Sequence, residues 1–373
     1  SITTHIDYII MAIDRLLDIG TFIISILCGF MFIPLTLNFC KAKGLYDIPN
    51  GRKLHHNLIP RLGGITFIPS MVIAALVAIS TLDSDPALEQ RIPLNLWTII
   101  FFFSLLIIYV VGIIDDLFGL SARIKFVAQI VAATLMPLAG LTINNLHGFC
   151  GIYEIPAFIG VLLTVFVIVF ISNAINLIDG IDGLAASLSL IALLGLLYGY
   201  AQQGLNSYCV IIAGMAGVLI PYLYFNLFGK AEKNRKIFMG DSGSLTLGFL
   251  LSFLVIKFVM VNGHAMPVDA HRLLLAYSLL VIPIFDVIRV IQHRLRHHSP
   301  LFTADKSHIH HKLMSAGCTM HQALLVILAM ALLYIPLNLW LFGLIGITGV
   351  VLVDIILYTS INLLINYKIS KAE

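Results

Sequence analysis

Charged residues are scarce in this chain. Lys, Arg, Asp and Glu make up only 11% of 373 residues, whereas 60% of the residues are hydrophobic. No soluble domain of this length is so apolar, so the composition excludes a soluble globular protein and predicts a membrane protein. The net charge of +3 says little by itself, and we expect no nucleic-acid partner.

Other features that would indicate a different class are also missing. The five cysteines show no metal-ligand spacing and are expected to be buried thiols, although a disulfide between Cys150 and Cys209 stays open. There is no low-complexity segment, internal repeat or long linker, so we expect one integral-membrane domain over 1–373. The first apolar run lacks an A-x-A exit and predicts an anchor rather than a cleaved signal.

Long apolar runs fill most of the chain, and each is long enough to cross a hydrocarbon core roughly 30 Å thick. The sequence predicts an all-α polytopic membrane protein with ten or eleven transmembrane helices, since only a short break near Gly343–Gly346 separates the last two runs. The predicted spans are 19–40, 64–82, 94–114, 124–143, 157–176, 184–201, 207–227, 242–261, 272–292, 322–342 and 344–366.

Basic residues mark one side of the predicted membrane. Eighteen of the 22 Lys and Arg residues fall in the breaks or span ends of one side. The positive-inside rule makes this side cytoplasmic and places the N-terminus outside. Five hydrophilic breaks reach this side, because an even number of predicted spans separates each from the next. They are 47–64, 113–126, 173–184, 238–244 and 304–313.

Adjacent carboxylates end the third run at Asp115 and Asp116. Two acids at a membrane are costly to dehydrate unless something offsets their charge. An ordinary solvated helix end would fit one Asp better than two. Arg123 and Lys125 follow closely enough to share a phosphate with them, so the pair predicts a functional site.

The third break places Asn173, Asn176, Asp179 and Asp182 three residues apart. On a helix this spacing gives a slowly rotating polar stripe. Gly180 would let a ligand approach the backbone closely. A hydrogen-bonded helix end with a capping Asp is the structural alternative.

The fourth break opens the eighth run. There Asp241, followed by Ser242 and Gly243, predicts a helix N-cap. The same geometry suits an anion or a phosphate-bound metal at the positive end of a helix. The basic residues that precede this break could equally be plain topology signal.

The fifth break contains His308, His310 and His311. Their close spacing invites a zinc interpretation, but no Cys and no helical H-x-x-x-H pair supports one. Phosphate contacts fit better with the oxygen ligands, typical of magnesium, elsewhere in the chain.

The first break carries Arg52, Lys53 and His55. Basic residues at the interface attract anionic lipid headgroups, so a lipid phosphate is a natural partner. Generic positive-inside charge is the alternative.

In order along the chain, the five breaks resemble the motifs of the polyprenyl-phosphate N-acetylhexosamine-1-phosphate transferase family. The segment from His308 to His311 resembles the bacterial branch that transfers GlcNAc-1-phosphate to undecaprenyl phosphate. The peptidoglycan branch usually shows three consecutive histidines here, whereas Ile309 interrupts them in this chain. The resemblance implies that the lipid phosphate attacks the β-phosphorus of UDP-GlcNAc and that UMP leaves, which starts a lipid-linked cell-surface glycan.

The resemblance also implies roles for individual residues. Asn176 and Asp241 would bind Mg²⁺, with Mn²⁺ as an alternative, and the catalytic residues would be Asp115, Asp116 and Lys125. The substrate-binding residues would be Arg52, Lys53, His55, Asn173, Asp179, Asp182, Asn226, Phe238, Arg294, His308, His310 and His311. The family further suggests a bacterial inner-membrane protein with its active site on cytoplasmic loops, and a homodimer.

Three alternatives remain at this stage. The first is the same reaction with UDP-GalNAc, another UDP-HexNAc or UDP-MurNAc-pentapeptide as donor. The second is a transporter of a nucleotide sugar or lipid-linked sugar. Transporters place polar sites near the midplane, whereas the predicted spans are almost free of ionisable groups, with Lys257 and Asp354 as the exceptions. A purely structural scaffold would leave the Asp constellation without a reason.

Overall fold

The computed structural model describes residues 2–46, 58–82, 96–263, 266–298 and 307–372. Eleven α-helices and one small hairpin account for most of them. The helices are α1 (Ile2–Lys43), α2 (Phe67–Leu82), α3 (Leu96–Phe118), α4 (Ala122–Leu138), α5 (Ala157–Ile178), α6 (Leu184–Gln202), α7 (Asn206–Phe228), α8 (Gly240–Val259), α9 (Ala270–Arg296), α10 (Ile309–Ser315) and α11 (Met320–Ala372). The antiparallel hairpin consists of β1 (Asn145–Phe149) and β2 (Ile152–Glu154).

Within the described ranges, nine helices are long and apolar enough to cross a membrane. The prediction of an all-α polytopic membrane protein is therefore confirmed. The fourth predicted span, 124–143, is too long, because α4 has 17 residues and ends at Leu138. The chain then turns at Gly140, whose φ of 86° lies outside the helical region.

Helix α11 is two spans rather than one. Gly346 has φ 67° and ψ 178°, which interrupts the helix. Asn338 Nδ2 donates to Asp354 Oδ2 at 2.9 Å across a separation of 16 residues. A straight helix would place residues 16 apart about 24 Å from each other along its axis. The chain therefore reverses at Gly346, where the sequence predicts a break, and the two arms pack side by side.

Contacts divide the chain into two compact units. Unit 1 comprises 1–120 and 193–246, and unit 2 comprises 121–192 and 247–373. The prediction of a single domain over 1–373 stays a prediction.

In unit 1, helix α1 packs along α7 and α2. Leu17, Ala78 and Val210 form a buried apolar cluster between the three helices. The hydroxyl of Ser25 on α1 donates to the carbonyl of Gly214 on α7 at 2.5 Å. Small residues and short polar bridges let membrane helices approach closely where water supplies no driving force.

In unit 2, the β-hairpin and the residue before it are hydrogen-bonded to the segment that links α8 and α9. The side-chain amide of Asn144 donates to the carbonyl of Val261 at 2.6 Å and accepts from the same residue's N–H at 2.9 Å. The ring of His147 lies 2.7 Å from the carbonyl of Val259 through Nε2 and accepts from the N–H of Asp269 through Nδ1 at 3.0 Å. These bonds pair backbone groups that follow the end of α8 and precede α9 and that the helices themselves leave unsatisfied.

Each of the five cysteines is a free thiol. Cys28, Cys40 and Cys209 are buried, as predicted, whereas Cys150 is exposed and Cys318 is half-buried. The alternative of a disulfide between Cys150 and Cys209 is therefore not realised.

Candidate active site

An acidic cluster forms in unit 1 where α3 ends and α8 begins. One carboxylate oxygen from each of Asp115, Asp116 and Asp241 lies within 4.8 Å of the other two. Asp115 is buried and the other two acids are half-buried. The fold therefore brings together acids from the second and fourth hydrophilic breaks, which are 125 residues apart between Asp116 and Asp241.

Asp116 caps the N-terminus of α8. Its Oδ1 accepts from the N–H of Asp241 at 2.8 Å, and its Oδ2 accepts from the N–H of Ser242 at 2.9 Å. The predicted N-cap role of Asp241 is thus wrong, because Asp241 lies inside the first turn of the helix. A carboxylate from α3 performs that role, since the positive end of α8 stabilises a negative charge there.

Gly240 makes this cap geometrically accessible. Its φ is +71°, and a Cβ at this position would lie 2.4 and 2.6 Å from the two carboxylate oxygens of Asp116 and 2.1 Å from the carbonyl oxygen of Arg61. Only a residue without a side chain can take this φ freely and leave room for the carboxylate. Gly240 therefore sets the distance between α3 and the first turn of α8.

The second half of the first hydrophilic break holds this turn from the other side. The N–H of Phe238 donates to the carbonyl of Pro60 at 2.8 Å, and Gly63 returns a bond to the carbonyl of Phe238 at 2.9 Å. The N–H of Gly64 donates to the carbonyl of Met239 at 2.8 Å. The backbone of Phe238 thus helps to hold the turn in place, while its side chain is half-buried.

Asn226 supports the same segment from α7. It is buried, and its side-chain amide donates to the carbonyl of Ile237 at 2.8 Å. The ammonium group of Lys236 donates to the carbonyl of Asn226 at 3.1 Å. These contacts give Asn226 a structural task, and its predicted substrate contact stays a prediction.

Arg52, Lys53 and His55 of the first break lie outside the described residues. Their predicted contact with the lipid phosphate therefore stays a prediction.

In unit 2, the predicted polar stripe is only half helical. Helix α5 ends at Ile178, and Asp179 forms its C-cap with φ −73° and ψ 57°. Asp182 lies in the turn before α6, so the stripe ends after Asn173 and Asn176. The side-chain amide of Asn173 donates to the carbonyl of Val169 at 2.7 Å, which ties it to its own helix. The predicted roles of all four residues, Asn173, Asn176, Asp179 and Asp182, stay predictions.

A histidine cluster forms at the start of α10, also in unit 2. Nδ1 of His308 lies 2.7 Å from Oδ2 of Asp286, a fully buried acid on α9. Oδ1 of Asp286 accepts from the N–H of Ile309 at 2.9 Å and from the guanidinium of Arg289 at 3.0 Å. The carboxylate therefore orients the His308 ring, assigns the Nδ1 proton to this bond and leaves Nε2 for a further partner.

His310 lies beside His308 and His311 and against the turn that follows α5. Its ring is parallel to that of His308, with centroids 5.7 Å apart, and 4.3 Å from that of His311. A Cβ on Gly180 would lie 2.2 Å from its Nε2. Because Gly180 has no side chain, the His310 ring can lie directly against its backbone. This contact brings the third and fifth hydrophilic breaks together.

The environment of His310 keeps its ring neutral. Burial, with a smaller contribution from the neighbouring His311, lowers the pKa of His310 to about 3. Neither of its ring nitrogens has a hydrogen-bond partner among the described residues. A buried polar group without a hydrogen-bond partner is costly, so a ligand that bonds to this ring would relieve that cost.

Lys125 and Arg294 occupy helix ends in unit 2. Lys125 is in the first turn of α4, which Ser121 caps through the N–H of Ile124 at 3.4 Å. Arg294 is in the last turn of α9 and is buried. Their predicted roles stay predictions.

Asp286 and Arg289 are the residues that the sequence reasoning missed. The expectation that Lys257 and Asp354 are the exceptions among nearly uncharged spans is wrong, because Asp286 lies inside the predicted span 272–292. The signal was available, since an acid within an apolar span marks a functional-site candidate by default.

The chain also resembles known proteins. The family described as glycosyl transferase family 4 matches residues 97–259, a range that contains the whole acidic cluster. An undecaprenyl-phosphate alpha-N-acetylglucosaminyl 1-phosphate transferase of Yersinia pestis is 35% identical over 296 residues, which cover 78% of this chain and 75% of that protein.

Two further relatives are similar over comparable lengths. A probable undecaprenyl-phosphate N-acetylglucosaminyl 1-phosphate transferase of Bacillus subtilis is 34% identical over 312 residues, or 82% of this chain and 80% of that protein. The undecaprenyl-phosphate alpha-N-acetylglucosaminyl 1-phosphate transferase of Escherichia coli K12 is 31% identical over 328 residues, or 86% of this chain and 83% of that protein.

Proposed function

Because this chain belongs to glycosyl transferase family 4, among the polyprenyl-phosphate N-acetylhexosamine-1-phosphate transferases, we propose that it transfers GlcNAc-1-phosphate from UDP-GlcNAc to undecaprenyl phosphate. In this reaction an oxygen of the lipid phosphate forms a bond to the β-phosphorus of UDP-GlcNAc. The bond from that phosphorus to the oxygen of the α-phosphate breaks, and UMP leaves. The product is a lipid-linked diphospho-sugar that starts a cell-surface glycan.

The acidic cluster is the observation that carries this proposal. Phosphoryl transfer depends chiefly on positioning and on neutralising phosphate charge. Three carboxylates with oxygens within 4.8 Å of one another fit Mg²⁺, which prefers oxygen ligands and is bound through one or two carboxylates. When bound, Mg²⁺ supplies charge neutralisation at the phosphates. Mn²⁺ accepts the same ligands and is the alternative.

The three acids of the cluster have different roles. Asp116 uses both carboxylate oxygens to hold the first turn of α8, so we assign it a positioning role. Asp115 accepts from the N–H of Leu120 at 2.6 Å, which fixes its carboxylate at the end of α3. Asp115 and Asp241 are the acids that would hold the metal, and Asn176 stays a further candidate ligand.

None of these acids is needed as a strong general base. A phosphate monoester has its second pKa near 6, so the acceptor lipid is mostly dianionic at pH 7. Orientation of the acceptor and the metal is therefore the role that the chemistry favours for Asp115.

The histidine cluster of unit 2 would bind the pyrophosphate and sugar of the donor. Asp286 bonds both to the ring of His308 and to the N–H of Ile309, so Nε2 of His308 is held in one orientation. The neutral, buried His310 offers ring nitrogens that lack a protein partner among the described residues. Charge-assisted and neutral hydrogen bonds to phosphate oxygens are the contacts such rings make.

We further propose that the protein resides in the bacterial inner membrane with its N-terminus outside and its active site facing the cytoplasm. The distribution of basic residues and the function named for its relatives support this location. Its substrates would be UDP-GlcNAc and undecaprenyl phosphate, within membrane lipid. A homodimer is the assembly that the family suggests.

The experiment is UMP release by purified protein in detergent with undecaprenyl phosphate and Mg²⁺. UDP-GlcNAc, UDP-GalNAc and UDP-MurNAc-pentapeptide are compared as donors, with and without EDTA. We expect UMP from UDP-GlcNAc alone, dependent on both lipid and metal. UMP from another donor would contradict the assigned specificity, and no UMP from any donor with folded protein would contradict the enzyme assignment.

A further inference from the structure

A groove of about 730 Å³ opens on unit 1 between α1 and α7. Its apolar wall is formed by Phe30 and Pro34 of α1 and by Tyr224 and Phe225 of α7. Phe30 and Tyr224 are exposed, and their rings are 5.8 Å apart. The groove is therefore an open aromatic channel along two helices, and none of the residues that line it belongs to the acidic cluster.

The rim at one end of this groove is basic. It is formed by Lys41 at the end of α1 and by Lys233 and Arg235 of the segment after α7. All three side chains are exposed. The described residues that line the groove include no acid, so its charge is wholly positive. Asn38 and Asn234 add neutral polar groups at the same rim.

The length of the groove matches one leaflet of a bilayer. Phe30 and Lys41 are eleven residues apart on α1, which corresponds to about 16 Å of helix. The hydrocarbon core of a membrane is roughly 30 Å thick, so half of it is about 15 Å. An acyl chain from one leaflet would thus run along the aromatic wall and bring its headgroup to the basic rim.

We propose that this groove binds a bilayer phospholipid whose headgroup carries a net negative charge. The acyl chain would lie against Phe30 and Tyr224, and the phosphodiester would contact Lys41, Lys233 and Arg235. The reacting phosphate of a polyprenyl acceptor must reach the residues that carry out transfer, and none of these lines the groove. A phosphodiester headgroup does not react, so the groove suits it better. The choice of a phospholipid over the acceptor lipid rests on the proposed function, whereas the binding of an anionic lipid in the groove does not.

The bound headgroup would also restrain part of the active site. Lys233 and Arg235 lie on the segment that links α7 to α8. The same segment is tied to α7 through Ile237, whose carbonyl accepts from Asn226 at 2.8 Å, and it continues directly into the turn that carries Asp241. A phosphate held by the two cations would therefore stiffen the chain that positions one acid of the cluster.

The test is a titration of the purified full-length protein with phosphatidylglycerol or phosphatidylcholine, with bound lipid counted by native mass spectrometry. The test variant combines Lys233→Gln with Arg235→Gln. The control combines Lys43→Gln with Lys230→Gln, which removes the same charge from exposed residues outside the groove. Phe30→Trp fills the apolar wall and leaves the charges intact.

Each basic residue near an anionic headgroup contributes about fivefold to affinity. We expect wild-type protein and the control to bind phosphatidylglycerol at least about tenfold more tightly than phosphatidylcholine. The test variant should lose this preference, and Phe30→Trp should weaken the binding of both lipids. Equal affinity for the two lipids in wild-type protein, or an equal loss in test and control variants, would overturn the proposal.

A competition arm separates the phospholipid from the acceptor lipid. Undecaprenyl phosphate should not displace phosphatidylglycerol at equal concentration. Displacement, together with a raised KM for undecaprenyl phosphate in the test variant, would make the groove an acceptor site and overturn the proposal.

An activity arm rests on the proposed function and is read separately. UMP release in phosphatidylcholine bilayers should rise severalfold when phosphatidylglycerol is added, in wild-type protein and control but not in the test variant. Selective phosphatidylglycerol binding by a protein that releases no UMP would support the groove and contradict the proposed function. UMP release that is the same in both lipids would refute the coupling to Asp241.

Discussion

Replacement of Gly240 by Ala is the most discriminating perturbation of the acidic cluster. The new Cβ would lie 2.4 and 2.6 Å from the carboxylate oxygens of Asp116, whereas ordinary contacts begin at 3.4 Å. It would also lie 2.1 Å from the carbonyl oxygen of Arg61. The first turn of α8, or both the Asp116 carboxylate and the Arg61 carbonyl, must therefore move by about 1 Å. A misplacement of that size typically lowers a turnover rate about 100-fold. The backbone strain of a non-Gly residue at positive φ adds roughly 1–2 kcal/mol of instability.

Gly204, in the turn between α6 and α7, provides a matched control for the strain. Its φ is +68°, and a Cβ there meets nothing within 4 Å. Gly204→Ala should therefore show the strain alone, with a lower midpoint of thermal unfolding and nearly unchanged kcat for UMP release. Gly240→Ala should lose about 100-fold in kcat, and it should lose more stability than Gly204→Ala because its Cβ also meets the Arg61 carbonyl and the Asp116 carboxylate.

The comparison has a clear refuting outcome. Equal kcat values for folded Gly240→Ala and Gly204→Ala would show that the approach of Asp116 to α8 does not control turnover. A normal kcat for Gly240→Ala at saturating Mg²⁺ would further contradict the assignment of the acidic cluster as the reaction centre.

Three further predictions concern Asp241, Asp286 and His147. Asp241→Asn should raise the Mg²⁺ concentration that gives half-maximal UMP release, because one metal-holding charge is lost; an unchanged metal titration would exclude Asp241 as a ligand. Asp286→Asn should lower kcat/KM about 10- to 150-fold, since charge-assisted hydrogen bonds contribute roughly 1.5–3 kcal/mol. The control is Asp354→Asn, at an equally buried acid of unit 2, which should affect stability but not kcat/KM. Equal effects of the two variants on kcat/KM would show that Asp286 is only structural. Burial lowers the pKa of His147, and the ring accepts from Asp269 through Nδ1, so its folded form resists protonation. The unfolded state then binds more protons at this residue below about pH 6.5, so the contribution of His147 to stability falls as pH falls from 7 to 5. His147→Gln should flatten this loss in thermal unfolding; an unchanged slope would refute the role of His147.

The sequence predicted the fold class because apolar runs of membrane length leave the chain few options. Backbone groups in hydrocarbon must be paired within the segment, so each run becomes a helix. The break near Gly346 was equally readable, since a short glycine-containing gap separates two runs of spanning length. The end of α4 at Leu138 was missed because hydropathy alone extends the run through residues 139–143, although Gly140 is the residue type that commonly follows a helix C-cap.

The candidate site was predicted in its residue types but not in its arrangement. The sequence indicated Asp115, Asp116 and Asp241 from their positions at the ends of apolar runs. Their division of labour depends on the crossing of α3 and α8, which gives Asp116 to the helix N-terminus. Asp286 was missed because it is a single acid within an apolar run, and the whole run was interpreted as an uncharged span.

Hydropathy and residue spacing act over neighbouring residues, so they account for the local features of this protein: the helices, their breaks, and the residue types at the breaks. The contacts between distant residues arise from helix packing. They are those of Asp116 with the start of α8, Asp286 with His308, and Gly180 with His310. Such contacts join residues tens to more than a hundred positions apart. They are fixed by helix packing, to which no local pattern in the chain corresponds.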